Sequence, residues 1–484
     1  MNFSKELTKG FYYYGLGRLF DKFATLLSVV ILARLLTPND FGFVALSMTF
    51  IVLVQSLSES GLEESLIKDA DATREDYNAA WTYGRIIRGL LLFSIEYSLS
   101  DWISIVYENK EIADIIKVLA FNELLRGFVN IGIVDFVKKR EFKKDFKFNL
   151  ISRTIRVVSA VFLAVILQNV WALILSYTLF NMSTLVLSYI LSDYRPSLCF
   201  EFSRVKRLFR FGGWIFIDKF VNTGRSIIDK MIIGKILGVE ILGLYQISAR
   251  VSLETSDDVK TIVSKTLFPV LLTITTNKEK IKKFRDILIS LIFLSVCFAS
   301  FIFINADFLV NLVLGEKWIG SIPIIKVLAL FSILNVLLTS VFPVFKSIGA
   351  PKYNFYINII QFGLIMLTVF PLIGFYGLYG VVYSLIIGSI FGLIFRELIL
   401  IKLEAYSIEE LKDLFVTALF SILIFSPMYT LRLLFDFQYS WVNLFLLTTI
   451  FIISSIAALF LIMRLTRSKS IDYFYKKIAI WRKY

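Results

Sequence analysis

The chain has 484 residues, of which 57% are hydrophobic and 19% charged, with a net charge of +14 and a mean hydropathy of +0.74. That balance excludes a soluble globular protein of this length. Apolar stretches near 20 residues, long enough to cross about 30 Å of hydrocarbon, recur instead of the ten-residue alternation of a β-barrel.

About fourteen such stretches follow one another along the chain. They cover roughly 11–36, 40–62, 79–105, 111–136, 147–168, 170–191, 211–237, 241–272, 286–305, 321–345, 353–374, 376–401, 411–431 and 440–463. The expected fold class is an all-α polytopic membrane protein: two parallel six-helix bundles around a central cavity, plus two C-terminal helices. Residues 1–194 form the first bundle and 195–210 a cytoplasmic amphipathic linker, with a short interfacial helix expected from Phe200 to Phe211. The second bundle takes 211–405, and 406–484 adds the last two spans and a basic tail. Gly388-x-x-x-Gly392 is a spacing that lets helices approach closely.

The positive charge is one-sided. Lys138-Lys139-Arg140, the cluster from Arg195 to Arg210, Lys278 to Arg285, Lys346, Lys352, Lys402 and the tail from Arg464 all fall on one set of loops, while the other set holds only Lys110, Lys317 and Arg432. By the positive-inside rule both termini are cytoplasmic. The basic loops suit anionic lipid headgroups, and no nucleic-acid partner is expected. Cys199 and Cys297 are too isolated for a disulfide framework, and histidine is absent, so no metal site is expected and any proton traffic has to use carboxylates. No cleavable signal peptide is expected in front of the first span.

A short repeat runs through the chain. Phe20-Asp21-Lys22-Phe23 returns as Ile217-Asp218-Lys219-Phe220, and Arg34-Leu35-Leu36 with Phe41-Gly42-Phe43 returns as Lys235-Ile236-Leu237 with Leu242-Gly243-Leu244. Six spans separate the copies, so both point the same way across the membrane, which is the arrangement of a parallel repeat.

Charges inside the spans are the second feature. Arg18, Lys22 and Thr25 lie at i, i+4, i+7 with Asp21 adjoining; Asp218, Asn222, Arg225 and Asp229 repeat the pattern in the seventh span. Arg85 with Arg88, Arg153 with Arg156, and the stripe Arg250, Glu254, Asp257, Asp258 add to it, as do Glu96, Glu123, Arg126, Lys219 and Lys230. Each costs roughly 2.5–3.5 kcal/mol at mid-bilayer, so they are expected to converge on a wet cavity or to pair with one another. Cations are in excess, which suits an anionic headgroup bound by guanidinium forks. The competing reading is that Asp21 with Lys22 or Arg18, and Asp218 or Asp229 with Arg225, are structural pairs. Arg225, near the middle of its span, is the foremost candidate for a ligand contact. Arg34, near the outer end, is expected to snorkel.

Leu32-Ala33-Arg34-Leu35-Leu36-Thr37-Pro38-Asn39-Asp40-Phe41-Gly42 resembles the opening stretch of bacterial Wzx-like polysaccharide flippases, a branch of the superfamily that also holds multidrug extruders and lipid II flippases. Asp229-Lys230-Met231-Ile232-Ile233-Gly234 through Leu242-Gly243-Leu244-Tyr245, then Phe268-Pro269 and Gly315-Glu316-Lys317-Trp318, continue the resemblance to about residue 405. Glu63-Glu64 and Asp218-Lys219 depart from the family pattern.

The resemblance implies that an undecaprenyl-pyrophosphate-linked oligosaccharide repeat unit is moved from the inner to the outer leaflet of the bacterial cytoplasmic (inner) membrane by alternating access, for lipopolysaccharide O-antigen, capsule or exopolysaccharide. Arg18, Lys22, Arg85, Arg88, Arg153, Arg156, Asn222, Arg225 and Arg250 would line the substrate cavity. Asp21, Asp218, Asp229, Glu254, Asp257 and Asp258 would be candidates for coupling to H+ or Na+. No organic cofactor is implied; a polysaccharide polymerase and a chain-length regulator are the implied partners. The alternative is an organic-cation (multidrug) antiporter of the same fold, which would favour a cavity of carboxylates and aromatics. An enzyme ranks low, because the longest outer loop, roughly 306–320, is short.

Overall fold

A computed structural model describes residues 3–56, 58, 62–69, 71–204, 213–403 and 440–466. Every regular element among them is helical, the form in which a backbone surrounded by lipid can satisfy its own hydrogen bonds. Thirteen of these helices have 18 residues or more, and eight continuous helical stretches are apolar enough to cross a membrane. The protein is a multi-span membrane protein. The expected span at 411–431, the linker residues 205–212 and the tail beyond 466 lie outside the described residues.

The described chain packs as two units, 1–243 and 244–484. The first contains α1 (Phe3–Leu35), α2 (Pro38–Ser56), α3 (Leu62–Lys68) and α4 (Arg74–Trp81). A π-helical stretch, Thr82–Ile87, carries α4 directly into α5 (Arg88–Tyr107). Then come α6 (Lys110–Gly127), α7 (Val134–Lys138), α8 (Phe142–Leu167), α9 (Trp171–Leu191) and α10 (Gly213–Ile236). α11 (Val239–Leu272) starts in this unit and continues into the second. The second unit adds α12 (Asn277–Phe308), α13 (Ile322–Thr339), α14 (Phe342–Ser347), α15 (Lys352–Tyr376), α16 (Leu378–Lys402) and α17 (Trp441–Thr466).

Local sequence explains the breaks. Pro38 begins α2, where a missing N–H costs nothing, and the Thr37 N–H and hydroxyl donate to Asp40 Oδ2 at 2.8 and 2.6 Å. Glu108 ends α5 in the left-handed region at φ 55°, and the Asn109 side chain then accepts from the Glu111 N–H to start α6. The expected span 111–136 is therefore shorter as a continuous helix, since Phe128–Asn130 breaks it.

Small residues set the closest crossings. A Cβ on Gly89 would lie 2.8 Å from the Glu123 carbonyl oxygen, and one on Gly127 3.0 Å from that of Arg85, so α5 and α6 touch backbone to backbone. In the second unit a Cβ on Gly388 would meet Ile365 of α15 at 2.9 Å and one on Gly392 would meet Leu338 of α13 at 3.2 Å, which bears out the packing role expected of that pair. Around them lie Phe284, Leu288, Val296, Phe345, Ile357 and Leu400.

The repeated motif forms a contact with itself. A Cβ on Gly42 would fall 1.9 Å from the Val239 carbonyl oxygen, and one on Gly243 would fall 1.7 Å from the Pro38 carbonyl oxygen. Position 38 corresponds to 239 and 42 to 243 at the same offset, so the contact is reciprocal, as a two-fold relation requires. It joins the start of α2 to the start of α11 inside the first unit.

The chain leaving α9 is extended rather than helical. Asn78 of α4 accepts from the Tyr194 hydroxyl at 2.6 Å and the Ser197 N–H at 2.9 Å, and its amide donates to the Ser197 hydroxyl at 2.7 Å. The Thr82 hydroxyl accepts from the Cys199 N–H, and the Tyr83 hydroxyl donates to the Phe200 carbonyl. Burial pushes the Tyr194 phenol up to about 12, so it stays a donor. The interfacial helix expected over 200–211 is represented by a single turn at 202–204; 205–212 is outside the described residues.

Candidate functional site

The expected cavity charges fall into local groups. The richest is built where α5, α6 and the π-helical stretch meet in the first unit. Arg85, inside that stretch, donates to Glu63 Oε1, with contacts of 2.8 and 3.0 Å, and to the Val129 carbonyl at 3.1 Å. Glu63, one of the acidic residues that departed from the family pattern, thus has an arginine to answer it. Trp81 donates its indole N–H to the same Val129 carbonyl, fixing the break after α6.

Glu123 of α6 is the hub of a second set. Its Oε1 accepts from Arg126 Nη1 and from Gln55 Nε2 of α2, both at 2.9 Å. Arg88, at the head of α5, is held differently. Its Nε donates to the Ser58 carbonyl at 3.1 Å and the Ser58 hydroxyl at 2.9 Å, and its two terminal nitrogens have no partner among the described residues. Arg88 is thus oriented by neutral groups, and the carboxylates whose charge reaches it, Glu123 and Glu63, make no direct ion pair with it among the described residues.

The first helix pairs with α8: Asp21 forms an ion pair with Arg153. The opening pattern in α1 thus includes a pair across two helices. Arg18 is exposed and Lys22 half-buried on α1. Arg156, one turn along α8 from Arg153, lies over the rings of Tyr177 and Phe180 of α9 at 5.6 and 5.7 Å and has no carboxylate partner among the described residues.

On α10, Arg225 donates to Asn222 Oδ1 at 3.2 Å and faces the charge of buried Asp229 one turn on. In the second unit Arg250 and Glu254 of α11 pair at 3.8 Å, and Asp258 lies half-buried one turn further. The side chains of Asp218, Lys219 and Asp257 are outside the described residues. Among the described residues no group of three acidic, histidine or cysteine side chains could hold a metal ion.

Two features were not singled out from the sequence. The π-helical stretch has no composition signal, although such turns gather at functional positions and this one carries Arg85 and leads into Arg88. Glu96, noted only as one more charge, is 2% exposed and neither of its oxygens accepts a hydrogen bond. Counting charges cannot reveal that; only the packing of α5 on α6 does.

The sequence profile of a family described as polysaccharide biosynthesis protein matches residues 31–323, well over half of the chain. The chain belongs to that family. Among other members of known sequence it is 23% identical to the Escherichia coli (strain K12) lipopolysaccharide biosynthesis protein WzxC over 323 residues, 64% of this chain and 63% of that one. It is 24% identical to the Bacillus subtilis (strain 168) teichuronic acid biosynthesis protein TuaB, over 67% of this chain and 68% of the relative. With the Rhizobium meliloti (strain 1021) succinoglycan biosynthesis transport protein ExoT the figures are 22%, 70% and 68%. The match thus spans about two thirds of each relative.

Among solved structures, this polysaccharide biosynthesis protein superposes on the lipid II flippase MurJ in an inward closed conformation with a TM-score of 0.72, covering 92% of this chain and 97% of that one at 14% identity. An inward-facing multidrug resistance MATE transporter gives 0.61, covering 80% and 96% at 15% identity. At those identities the likeness concerns the fold. The all-α polytopic architecture expected from the sequence is therefore borne out.

Proposed function

We propose that this protein is a translocase, not an enzyme, and that it moves a polyprenyl-pyrophosphate-linked oligosaccharide repeat unit from the inner to the outer leaflet of the cytoplasmic membrane. The observation that carries the reading is the match of a polysaccharide biosynthesis family to 31–323 in a chain with the fold of a lipid II flippase. Alternating access of two parallel bundles, both termini cytoplasmic, follows from the repeat and the one-sided loops. In that orientation the reciprocal contact of Gly42 and Gly243 lies at the outer end of the spans and is broken when the outward path opens.

The headgroup contacts follow from charge accounting. Arg85, Arg126 and Arg153 have carboxylate partners, whereas Arg88 and Arg156 keep a guanidinium inside spans without one. A charge held in a membrane span against that cost is a functional hypothesis by default, and a pyrophosphate offers the paired oxygens that a guanidinium fork fits. Arg225, hydrogen-bonded to Asn222 and facing Asp229, is a further candidate for a headgroup contact. The polyprenyl tail stays in lipid, and a polymerase and chain-length regulator act on the delivered unit. Coupling to H+ or Na+ supplies direction.

Deletion of the gene tests the reading. Labelled lipid-linked repeat units accumulate at the inner leaflet of the deleted strain and clear on complementation; an unchanged pool excludes the proposed substrate. The MATE-type fold supports a second reading, an organic-cation antiporter. Uptake of ethidium by energised vesicles, abolished in the deletion strain, distinguishes it.

A further inference from the structure

Among the described residues of the first unit, Glu96 is a buried acidic side chain with no hydrogen bond on either carboxylate oxygen. Glu96 lies on the stripe of α5 formed with Gly89, Leu92, Ser100 and Ile103, the stripe that packs on α6. The Gly89 and Gly127 crossing, two turns away, draws the backbones of α5 and α6 together, and both Glu96 oxygens are shut from solvent. The charged groups that face it are Glu123 and Arg126 from α6 and Arg88 from its own helix. Arg126 is engaged by Glu123, Arg88 by Ser58, and Glu123 is a like charge. α2 brings the neutral Gln55 amide, which Glu123 takes, and α10 meets α5 at its far end, where Lys235 pairs with Glu108 at 3.0 Å.

A carboxylate shut from water, with no hydrogen bond on either oxygen and a like charge beside it, is costly inside a membrane span, and a bound cation would relieve that cost. Among the described residues no three acidic, histidine or cysteine side chains gather as a metal site, so a monovalent cation is the one considered.

We infer that Glu96 is a monovalent-cation site, occupied by a proton or a sodium ion in the cleft between α5 and α6, and that exchange at this carboxyl supplies the ion coupling of transport. The site rests on burial and geometry; its coupling role rests on the translocase reading. In the proton case the carboxylate takes one proton from water to become the neutral acid and returns it to water, with no other bond changed. In the sodium case the carboxylate stays ionised and ligates the ion. Glu96 is thereby added to the coupling candidates Asp21, Asp218, Asp229, Glu254, Asp257 and Asp258.

The test uses the purified full-length protein and Glu96→Gln, an isosteric neutral change. Infrared difference spectra in sodium-free neutral buffer report the C=O stretch of a protonated carboxylic acid, and equilibrium dialysis reports bound ²²Na+. Loss of that band in Glu96→Gln assigns a proton; at least tenfold weaker ²²Na+ binding assigns sodium. Parent and variant with the same band and the same ²²Na+ binding, or a parent with neither signal, overturn the site. Should Glu96→Gln fail to elute as a folded protein, Glu96→Asp retains the charge one methylene shorter and is expected to shift the band or weaken ²²Na+ binding; unchanged values overturn the site equally.

Gradient-driven movement of a fluorescent polyprenyl-pyrophosphate disaccharide in vesicles then separates the two layers. Glu96→Gln is expected to abolish the response to the gradient. Unaltered gradient-driven movement in a variant that has lost the cation signal overturns the coupling role and leaves the site. No movement by the parent protein overturns the translocase reading, while the infrared and dialysis results still decide the site.

Discussion

Gly42 and Gly243, 201 positions apart, occupy equivalent places in one reciprocal contact: each leaves room for a carbonyl oxygen of the other's segment, Val239 for the first and Pro38 for the second. Two copies of a motif that meet in this way have a reason to keep glycine at both positions, because a methyl group at either would overlap backbone that cannot be moved aside as a side chain can.

The first prediction concerns that contact. Gly243→Ala is expected to destabilise the protein by about 1–3 kcal/mol, the range for forcing extra atoms into a closed site. Gly363→Ala, on an exposed face of α15 with nothing within 4 Å, is expected to be neutral or to gain up to about 1 kcal/mol of helix propensity. Thermal unfolding in detergent compares the two, and equal melting temperatures contradict the contact.

Asp21 and Arg153 offer the second. A double-mutant cycle with Asp21→Asn and Arg153→Gln is expected to show coupling of about 0.5–3 kcal/mol, as for residues in direct contact. Additive effects would mean the two helices are not joined by this pair.

The third concerns the extended segment after α9. Asn78→Ala removes the acceptor of the Tyr194 hydroxyl and the Ser197 N–H together. Cys199 is half-buried and the other cysteine, Cys297, is buried, so a maleimide reports chiefly on Cys199. Labelling is expected to accelerate several-fold in Asn78→Ala, with little change in Asn39→Ala, an exposed residue at the start of α2. Equal rates in Asn78→Ala and the parent contradict a tether at this point.

The fourth distinguishes Arg88 from Arg85. Arg85→Ala removes one of the two hydrogen bonds on the Val129 carbonyl, leaving only that from Trp81, and takes the ion pair from Glu63, so it is expected to lower the melting temperature. Arg88→Ala removes a guanidinium that makes no direct ion pair and is hydrogen-bonded to Ser58 among the described residues, so it is expected to leave the melting temperature near that of the parent while transport fails, with partial recovery in Arg88→Lys. A folded Arg88→Ala protein with full transport contradicts a headgroup contact at Arg88.

Much of the architecture was legible because its causes are local. Hydrocarbon thickness fixes the span length, and the offset between Gly42 and Gly243 is visible in the chain before any contact is known. Pairing is not local. Asp21 had two cations within reach on its own helix, and a third, Arg153 on α8, pairs with it from a distance of 132 positions along the chain, which no local pattern reveals. Phe200 and Phe202, spaced two apart beside Arg204, fit an amphipathic turn or an extended edge equally well; side-chain acceptors on α4 and the π-helical stretch favour the extended form up to residue 201. Glu96 looked like its neighbours in a list of charges, and its burial without a hydrogen bond is a property of tertiary packing.

The most direct test of the account is translocation by the purified protein. Vesicles containing the full chain and a fluorescent polyprenyl-pyrophosphate disaccharide in both leaflets are treated with an impermeant quencher of the outer leaflet. The account predicts that the protected inner pool becomes quenchable in vesicles with the parent protein and stays protected in those with Arg88→Ala. An inner pool that stays protected with the parent protein, as in protein-free vesicles, would contradict it.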